Sequence, residues 1–435
     1  EREPSPAVAP VPPPRTEPPA PTPDPSAVSP PSAGEPPAPL PQTDILLGLD
    51  SMKLAQYGLL GTAAGKRLAL DLNGTNTISL FGVQGGGKSY SVGTVVEMAT
   101  RPLPGLNHLP SPLATVIFHY HESQDYAPEF VSMIRPNSVE GEVAALREQY
   151  GAEPGALEDV LLLTSPDMVA ARRREFPGVR VAPILFGSAE LGSKEWRFLM
   201  GVSGNQMYMK QMTMIMRRLR REDGAMALDA LRSEIQSSAL NDMQKTILDV
   251  RLNLAEQFID DAVRLGDTIR PGRLIIVDLR DETIEKDEAL GLFVVMLNIF
   301  AGAGRDEGYN KLIVFDEAHK YMDNRDLTSH IVDAIRQMRH QGVSLLIASQ
   351  DPPSLPNEII ELSSLVILHR FNSPQWLKHV QRSVTALSEL TPAEMAGLRP
   401  GEAFIWAAKA TEPLFTRKAV RARLRPRATE HGGGT

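Results

Sequence analysis

Residues 77–89, which read TISLFGVQGGGKS, decide the fold. Residues 77–81 are a short β-prone run, and residues 82–89 fit the pattern G-x-x-x-x-G-K-[ST]. A helix-prone segment follows at 90–99. Strand, glycine-rich loop and helix in this order predict a phosphate-binding loop. Glycines let successive backbone N–H groups point at phosphate oxygens, and the helix N-terminus favours an anion.

This loop predicts that the chain binds ATP together with Mg²⁺. Lys88 would place a cation on the β- and γ-phosphates, and Ser89 would offer its hydroxyl to the metal. The remaining residues would surround the phosphates mainly through their backbone. The expected nucleotide contacts are Gly82, Val83, Gln84, Gly85, Gly86, Gly87, Lys88, Ser89 and Tyr90.

A second apolar run, residues 311–315, ends in the acidic pair Asp316 and Glu317. Burying two carboxylates is costly unless a cation lies nearby. We therefore expect Asp316 to join the Mg²⁺ shell and Glu317 to polarise the attacking water as a general base. The alternative is a strand that ends in ordinary acidic loop residues.

Two further runs end in polar residues. The run 343–350 ends in Ser349 and Gln350. Because strand carboxyl ends collect at the ligand edge of a parallel sheet, we expect Gln350 to sense the γ-phosphate or to position water. The run 114–120 has polar residues at its end, namely His119, His121, Glu122 and Asp125. Two interpretations are open: these residues form a metal site, or, as we prefer, Glu122 is a polar residue near the nucleotide.

Most of the apolar runs contain five to seven residues without alternation, which is typical of strands buried on both faces of a parallel sheet. They lie at 77–81, 114–120, 181–186, 273–279, 311–315, 343–348, 365–368 and 403–407. Helical segments separate several of them, so the predicted class is α/β. We expect a single P-loop, recombinase-like domain with a mostly parallel central sheet and a helical insertion.

Composition divides the chain into six segments. Residues 1–42 hold 17 of the 36 prolines and are predicted to be a disordered arm, either a tether or a docking site for a proline-recognising partner. Residues 43–74 are expected to form a short element, a truncated barrel or a strap. The ATPase core is predicted at 75–189 and 266–420, the helical insertion at 190–265, and a flexible basic tail at 421–435.

Composition also excludes several classes of protein. The 435-residue chain has no cysteine, which rules out a disulfide-stapled fold and cysteine-ligated metal sites. Its net charge of −8 excludes a globally basic nucleic-acid coat protein, but not a local basic channel, for which 172–174 and 217–221 are candidates. No apolar stretch predicts a transmembrane helix or a signal peptide, so we expect a cytoplasmic protein without membrane partners.

One chain is not expected to complete the active site. The tetrapeptide DEAH at 316–319 also occurs in DEAH-box helicases, but the 118 residues after Glu317 are too few for their second domain. A neighbouring subunit would then donate the catalytic arginine, and a closed head-to-tail interface forms a ring. The candidates are Arg336, Arg339 and Arg370.

The motifs together resemble the HerA–FtsK superfamily of ring ATPases, and HerA-type proteins in particular, over about residues 75–409. The resemblance rests on FGVQGGGKS at 81–89, PGRLIIVDL at 271–279, LIVFDEAHKYM at 312–322, IRQMRHQGVSLLIASQ at 335–350 and LVILHRF at 365–371. It implies a hexameric ATPase that translocates double-stranded DNA through a central pore. Some members work with a nuclease, and some belong to antiphage defence. The N-terminal β-barrel usual in HerA proteins has no complete counterpart here.

The expected function is therefore a homo-hexameric, ATP-hydrolysing ring that translocates or remodels double-stranded DNA, with a nuclease or defence effector as a further partner. Two alternatives stay open. The ring would act as a nucleotide-controlled scaffold that activates an effector without translocation, or it would be a secretion or conjugation ATPase, a class that shares the core motifs.

Overall fold

A computed structural model of the chain describes residues 41–51, 55–200, 207–223, 227–304, 307–320, 322, 325–338 and 341–433. The predicted proline-rich arm at 1–42 lies outside the described residues, except for its last two positions. The catalytic candidate Arg339 also lies outside them.

The described residues contain fourteen strands and thirteen α-helices. The strands are β1 (Ile45–Leu47), β2 (Tyr57–Ala63), β3 (Lys66–Asp71), β4 (Thr77–Phe81), β5 (Asn107–His108), β6 (Ala114–His121), β7 (Val160–Thr164), β8 (Arg180–Pro183), β9 (Leu274–Arg280), β10 (Lys311–Phe315), β11 (Val343–Ser349), β12 (Leu365–Leu368), β13 (Glu402–Ala407) and β14 (Val420–Leu424). The helices are α1 (Lys88–Thr100), α2 (Glu140–Ala145), α3 (Val169–Glu175), α4 (Ser193–Leu199), α5 (Met207–Asp223), α6 (Leu228–Ser237), α7 (Asp242–Glu256), α8 (Lys286–Gly302), α9 (Arg325–Met338), α10 (Asn357–Glu361), α11 (Pro374–Ser383), α12 (Pro392–Ala396) and α13 (Leu414–Arg417).

The strands form one sheet in the order β1-β3-β2-β14-β13-β12-β4-β11-β10-β6-β9-β7-β8, with β5 paired to β2. Every pairing from β12 to β8 is parallel, whereas β13, β14 and β2 continue the sheet in antiparallel pairs. The central strands β4, β10, β11 and β12 are buried along their whole length. The predicted α/β class with a mostly parallel sheet is confirmed.

Strand register brings five loops to one edge of the sheet. Phe81 at the end of β4 pairs with Ser349 of β11 and with Leu368 of β12. Phe315 at the end of β10 pairs with Ile347 of β11 and with Phe118 of β6. Because all five strands are parallel, the residues that follow them lie beside one another at the carboxyl edge.

Residues 43–74 do not form the separate barrel-like or strap element that the sequence suggested. Their strands β1, β2 and β3 extend the main sheet, because β2 pairs with β14 through Thr62 opposite Arg423 and Gly61 opposite Leu424. The first part of the chain thus shares a backbone hydrogen-bond ladder with its last strand.

The prediction of a flexible tail at 421–435 is wrong for its described part. After β14 the chain packs against α1, where the carboxylate of Glu97 is fully buried. Glu97 accepts hydrogen bonds from Arg425 Nη1 (2.6 Å), from the N–H groups of Ala428 (3.0 Å) and Thr429 (2.9 Å), and from the Thr429 hydroxyl (2.8 Å). Of the basic residues that suggested a solvated tail, Arg425 pairs with this buried acid and Arg427 pairs with Glu129 (3.3 Å).

Helices α4 to α7 occupy most of 190–265, and their buried side chains join the core on one face of the sheet. Trp196, Met212 and Leu248 belong to the same apolar cluster as Phe118 and Phe315. Within the predicted basic patch, Arg217 and Arg221 on α5 are exposed, whereas Arg218 pairs with Glu234 of α6.

The other predicted basic patch, 172–174, is not a uniform surface. Arg172 is buried and pairs with Asp278 of β9 (2.8 Å) and with Glu175 (3.0 Å), whereas Arg173 and Arg174 are exposed. In the described part of the chain, no helix has the length and apolar character needed to cross a membrane.

We expect Arg425→Ala to lower the free energy of unfolding by about 3–5 kcal/mol, because it leaves the buried Glu97 carboxylate without its cation. Urea denaturation measures the change. Lys66→Ala is the matched control, since its pair with Glu412 is exposed and contributes at most about 1 kcal/mol. Equal losses in the two variants would contradict the assigned role of the buried pair.

Candidate functional site

The loop between β4 and α1 has the curled backbone that a phosphate cradle requires. Gly85 and Gly87 adopt positive φ angles of 72° and 96°, a region that residues with a Cβ rarely occupy. The N–H of Gly86 donates to the carbonyl of Val83 (3.0 Å). Helix α1 starts directly afterwards at Lys88, so its N-terminus faces the loop.

His369, which directly follows β12, packs against this loop. His369 is fully buried. A Cβ placed on Gly82 would lie only 2.7 Å from the Cβ of His369, and a Cβ placed on Gly87 would lie 3.5 Å from its ring. Its Nδ1 donates to the carbonyl of Glu402 (3.2 Å), so its Nε2 accepts from the Ser91 hydroxyl (2.7 Å). The sequence analysis missed His369, although a polar residue directly after a buried run was the available signal.

Burial lowers the pKa of His369 to about 4. The hydrogen bond to the Glu402 carbonyl opposes this effect, and the charge of Lys88 reinforces it. His369 is therefore neutral at physiological pH, which agrees with the donor and acceptor roles of its two ring nitrogens.

The acidic pair after β10 lies against the lysine of the loop. Lys88 Nζ is 2.6 Å from Glu317 Oε1 and 3.9 Å from Asp316 Oδ1, and all three side chains are largely buried. Glu317 has a φ angle of 49°, a strained conformation for a residue with a Cβ. The structure thus brings together Lys88, Asp316 and Glu317, which are far apart in the sequence.

Gln350 reaches the same carboxylate from the end of β11. Its Nε2 donates to Glu317 Oε1 at 2.7 Å. The other oxygen, Glu317 Oε2, is buried and accepts no hydrogen bond from the described residues, and His319 Nδ1 lies 3.4 Å from it. Ser349, by contrast, accepts from the N–H of Asp351 (3.1 Å) and holds the local turn.

His119 at the end of β6 contacts the other acid. Its Nδ1 is 3.4 Å from Asp316 Oδ2, and its Nε2 is 2.9 Å from the carbonyl of Tyr126. Burial by itself would lower the pKa of His119. The hydrogen bond to Asp316 and the negative charge of Asp316 outweigh burial, so the pKa of His119 is raised. For Asp316, burial would raise the pKa, yet His119 and Lys88 outweigh it and lower the value. Asp316 is thereby kept ionised.

The polar residues after β6 do not form a dedicated metal site. His121 accepts a hydrogen bond from the N–H of Ser123 (2.9 Å) and stacks on Tyr126, whereas His119 faces Asp316. No group of three or more acidic or histidine side chains in the described part of the chain is arranged to hold a metal ion. Glu122 is exposed at this edge.

The two residues after Lys88 differ in their surroundings. Ser89 is half-buried in the first turn of α1. The Tyr90 hydroxyl donates to Glu142 (2.8 Å) and accepts from the N–H of Arg427 (2.7 Å), and burial raises its pKa. The Tyr90 side chain therefore packs with the C-terminal segment, and only its backbone remains available to a ligand at the loop.

The described candidate arginines lie in different places. Arg336 on α9 is exposed and donates a hydrogen bond to Asp333 on its own helix (3.3 Å). Arg370 directly follows His369, and its carbonyl accepts a hydrogen bond from the N–H of Val83 (3.2 Å). Its exposed side chain therefore begins beside the loop of its own chain.

Comparison with known structures settles the fold. VirB4 of Thermoanaerobacter pseudethanolicus is similar with a TM-score of 0.50 and 12% identity, over 84% of this chain and 95% of VirB4. The bacterial conjugative coupling protein TrwBdeltaN70 is similar with a TM-score of 0.52 and 11% identity, over 88% of this chain and 91% of that protein. The chain therefore shares the α/β fold of these two proteins. The resemblance suggested by the sequence motifs is confirmed at the level of this fold.

Part of the sequence is also similar to a protein from an archaeon. A probable helicase from Methanocaldococcus jannaschii is 33% identical over 110 residues, which are 25% of this chain and 21% of the helicase. The aligned segment thus spans about a fifth of that relative. No family model matches the chain.

The depressed pKa of His369 predicts a pH-dependent stability. The unfolded chain protonates this histidine near pH 6.5, whereas the folded chain resists protonation down to about pH 4. As pH falls through that interval, His369 should cost the native state on the order of 1 kcal/mol per pH unit. Urea denaturation of wild type and His369→Gln between pH 4 and 8 isolates this contribution; parallel stability curves would contradict it.

Proposed function

We propose that the chain is an ATP-hydrolysing subunit of a ring that translocates or remodels double-stranded DNA. The observation that carries this proposal is the convergence of Lys88, Asp316, Glu317 and Gln350, from the ends of three parallel strands, beside a curled glycine loop. A cation, two acids and an amide at this edge are the side chains that phosphoanhydride hydrolysis needs.

Nucleotide binding uses the loop N–H groups and Lys88. In the structure the Lys88 ammonium is paired with Glu317 Oε1. A triphosphate that enters the loop competes for this ammonium, since phosphate oxygens accept charge-assisted hydrogen bonds from it. Lys88 then serves the phosphates, and Glu317 is released to act on water.

The residues present fit a magnesium ion. Asp316 is a buried carboxylate that is kept ionised, and Ser89 supplies a hydroxyl in the first turn of α1. Oxygen donors of this kind are those that Mg²⁺ prefers. Ser89 and Asp316 would hold the ion, which when bound neutralises charge on the phosphates.

Water activation falls to Glu317. Its Oε2 is buried and accepts no hydrogen bond from the described residues, so it is available to take a proton from water. Gln350 holds the same carboxylate through Oε1 at 2.7 Å and thereby fixes its orientation. The strained φ angle of Glu317 further limits the positions that the carboxylate adopts.

A ring is proposed because the site formed by the described residues of one chain lacks the arginine that a neighbouring subunit would donate. Arg336 is exposed and lies outside the cluster of its own chain, so it is the described candidate for donation to a neighbour. Charge supplied in this way accelerates phosphoryl transfer by several powers of ten. A hexamer and a nuclease or defence effector remain predictions from the sequence resemblance, and a cytoplasmic location remains a prediction from the apolar pattern of the sequence.

Lys88→Ala should abolish both ATP binding and hydrolysis, because the cation for the phosphates is lost. Glu317→Gln should reduce hydrolysis at least about 100-fold, because the general base is lost, and should keep binding intact. Phosphate release and fluorescent-ATP binding measure the two properties. Glu358→Gln, an exposed acid on α10, is the control that should behave as wild type. Full hydrolysis in both site variants would overturn the proposal.

Linear double-stranded DNA should stimulate ATP hydrolysis several-fold, and Glu317→Gln should lose this activity. Hydrolysis that is indifferent to DNA would instead favour the effector-controlling scaffold. The coupling protein TrwBdeltaN70, which shares the fold, favours a conjugation ATPase as the second candidate. Stronger stimulation by single-stranded than by double-stranded DNA, in the same assay, would support that candidate.

A further inference from the structure

The backbone of Arg370 forms part of the wall of the phosphate loop. Strand β12 pairs in parallel with β4, and Leu368 is the register partner of Phe81. Two residues further, the carbonyl of Arg370 accepts the N–H of Val83 at 3.2 Å. A Cβ placed on Gly86 would lie 3.3 Å from the same carbonyl oxygen. The side chain of Arg370 therefore starts within its own length of the loop interior.

The guanidinium of Arg370 is free to bind a ligand. It is exposed, and it makes no hydrogen bond or ion pair with any described residue. Two arginines described above are engaged, by contrast, since Arg280 pairs with Asp278 (2.8 Å) and Arg336 pairs with Asp333 (3.3 Å). A free cation beside an anion cradle is an arrangement that favours phosphate.

The neighbours of Arg370 hold its backbone in place. His369 is buried and bonded through both ring nitrogens, to Ser91 and to the Glu402 carbonyl. Phe371 is also buried and packs against Trp376. The starting point of the arginine side chain is thus fixed on both sides, which reduces the entropy lost when the guanidinium binds.

We infer that Arg370 contacts the phosphates of the nucleotide held by its own chain, and not those of a neighbouring subunit. This inference rests on the proposed function, and it replaces the expectation that Arg370 is a candidate donor in trans. The guanidinium of Arg370 presents a planar fork of N–H donors that matches phosphate oxygens, and it supplies a second cation beside Lys88. Arg336 keeps the role of the candidate that acts across the subunit interface.

Binding of fluorescent ATP to the full chain tests the contact. Arg370→Ala should weaken binding about tenfold or more, because a charge-assisted hydrogen bond is lost. Arg370→Lys should fall between this variant and wild type, since it keeps the charge without the fork. Arg382→Ala, which removes an exposed arginine on α11, should bind as wild type. Unchanged binding by Arg370→Ala would overturn the inference.

Mixed rings distinguish action in cis from action in trans. Coexpressed Arg370→Ala and Lys88→Ala subunits contain no complete site if Arg370 serves its own loop, so hydrolysis should not recover. Coexpressed Arg336→Ala and Lys88→Ala subunits should recover activity, because an intact loop then lies beside an intact Arg336. Recovery in the first mixture would overturn the inference while leaving the proposed function intact. Failure of the wild-type chain to bind ATP would remove both.

Discussion

The in-register parallel pairing of β12, β4, β11, β10 and β6 is the constraint on which the site depends. The five strands all end near one edge of the sheet, so the residues that follow them lie close together there. A slip of one residue in any of these pairings would turn its side chains to the opposite face of the sheet. The buried apolar strands therefore fix the chemistry at their ends as firmly as they fix the core.

Charge balance explains why the edge tolerates two adjacent acids. Lys88 lies between Asp316 and Glu317, and His119 faces Asp316 from the other side. Without these partners, the free energy that it costs to bury two negative charges would have nothing to offset it, and the native state would be destabilised. Because Lys88 is also the proposed ligand of the phosphates, nucleotide binding would rearrange the ion pairs of the site.

Local patterns were sufficient for most of the parallel strands and for the loop, although the parallel strand β7 was missed. The predicted strands at 77–81, 311–315 and 365–368 match β4, β10 and β12, because each is a continuous apolar run with polar residues at its end. The strands β2, β3 and β14 were missed, since they combine charged, glycine or polar positions with short apolar stretches and pair in antiparallel ladders. The pairing of Arg425 with Glu97 joins residues 328 positions apart, and no local pattern reveals it.

The contacts of residues 425–429 with helix α1 also affect the order in which the protein folds during synthesis. The helix that begins with Lys88 carries Glu97, and the cation and N–H groups that satisfy this buried acid are synthesised more than 300 residues later. Contacts this distant in sequence form slowly, because a long loop must close first. During translation, helix α1 therefore cannot complete these contacts until almost the whole chain is made, and a nascent chain lacking residues 425–429 leaves the Glu97 carboxylate without its cation.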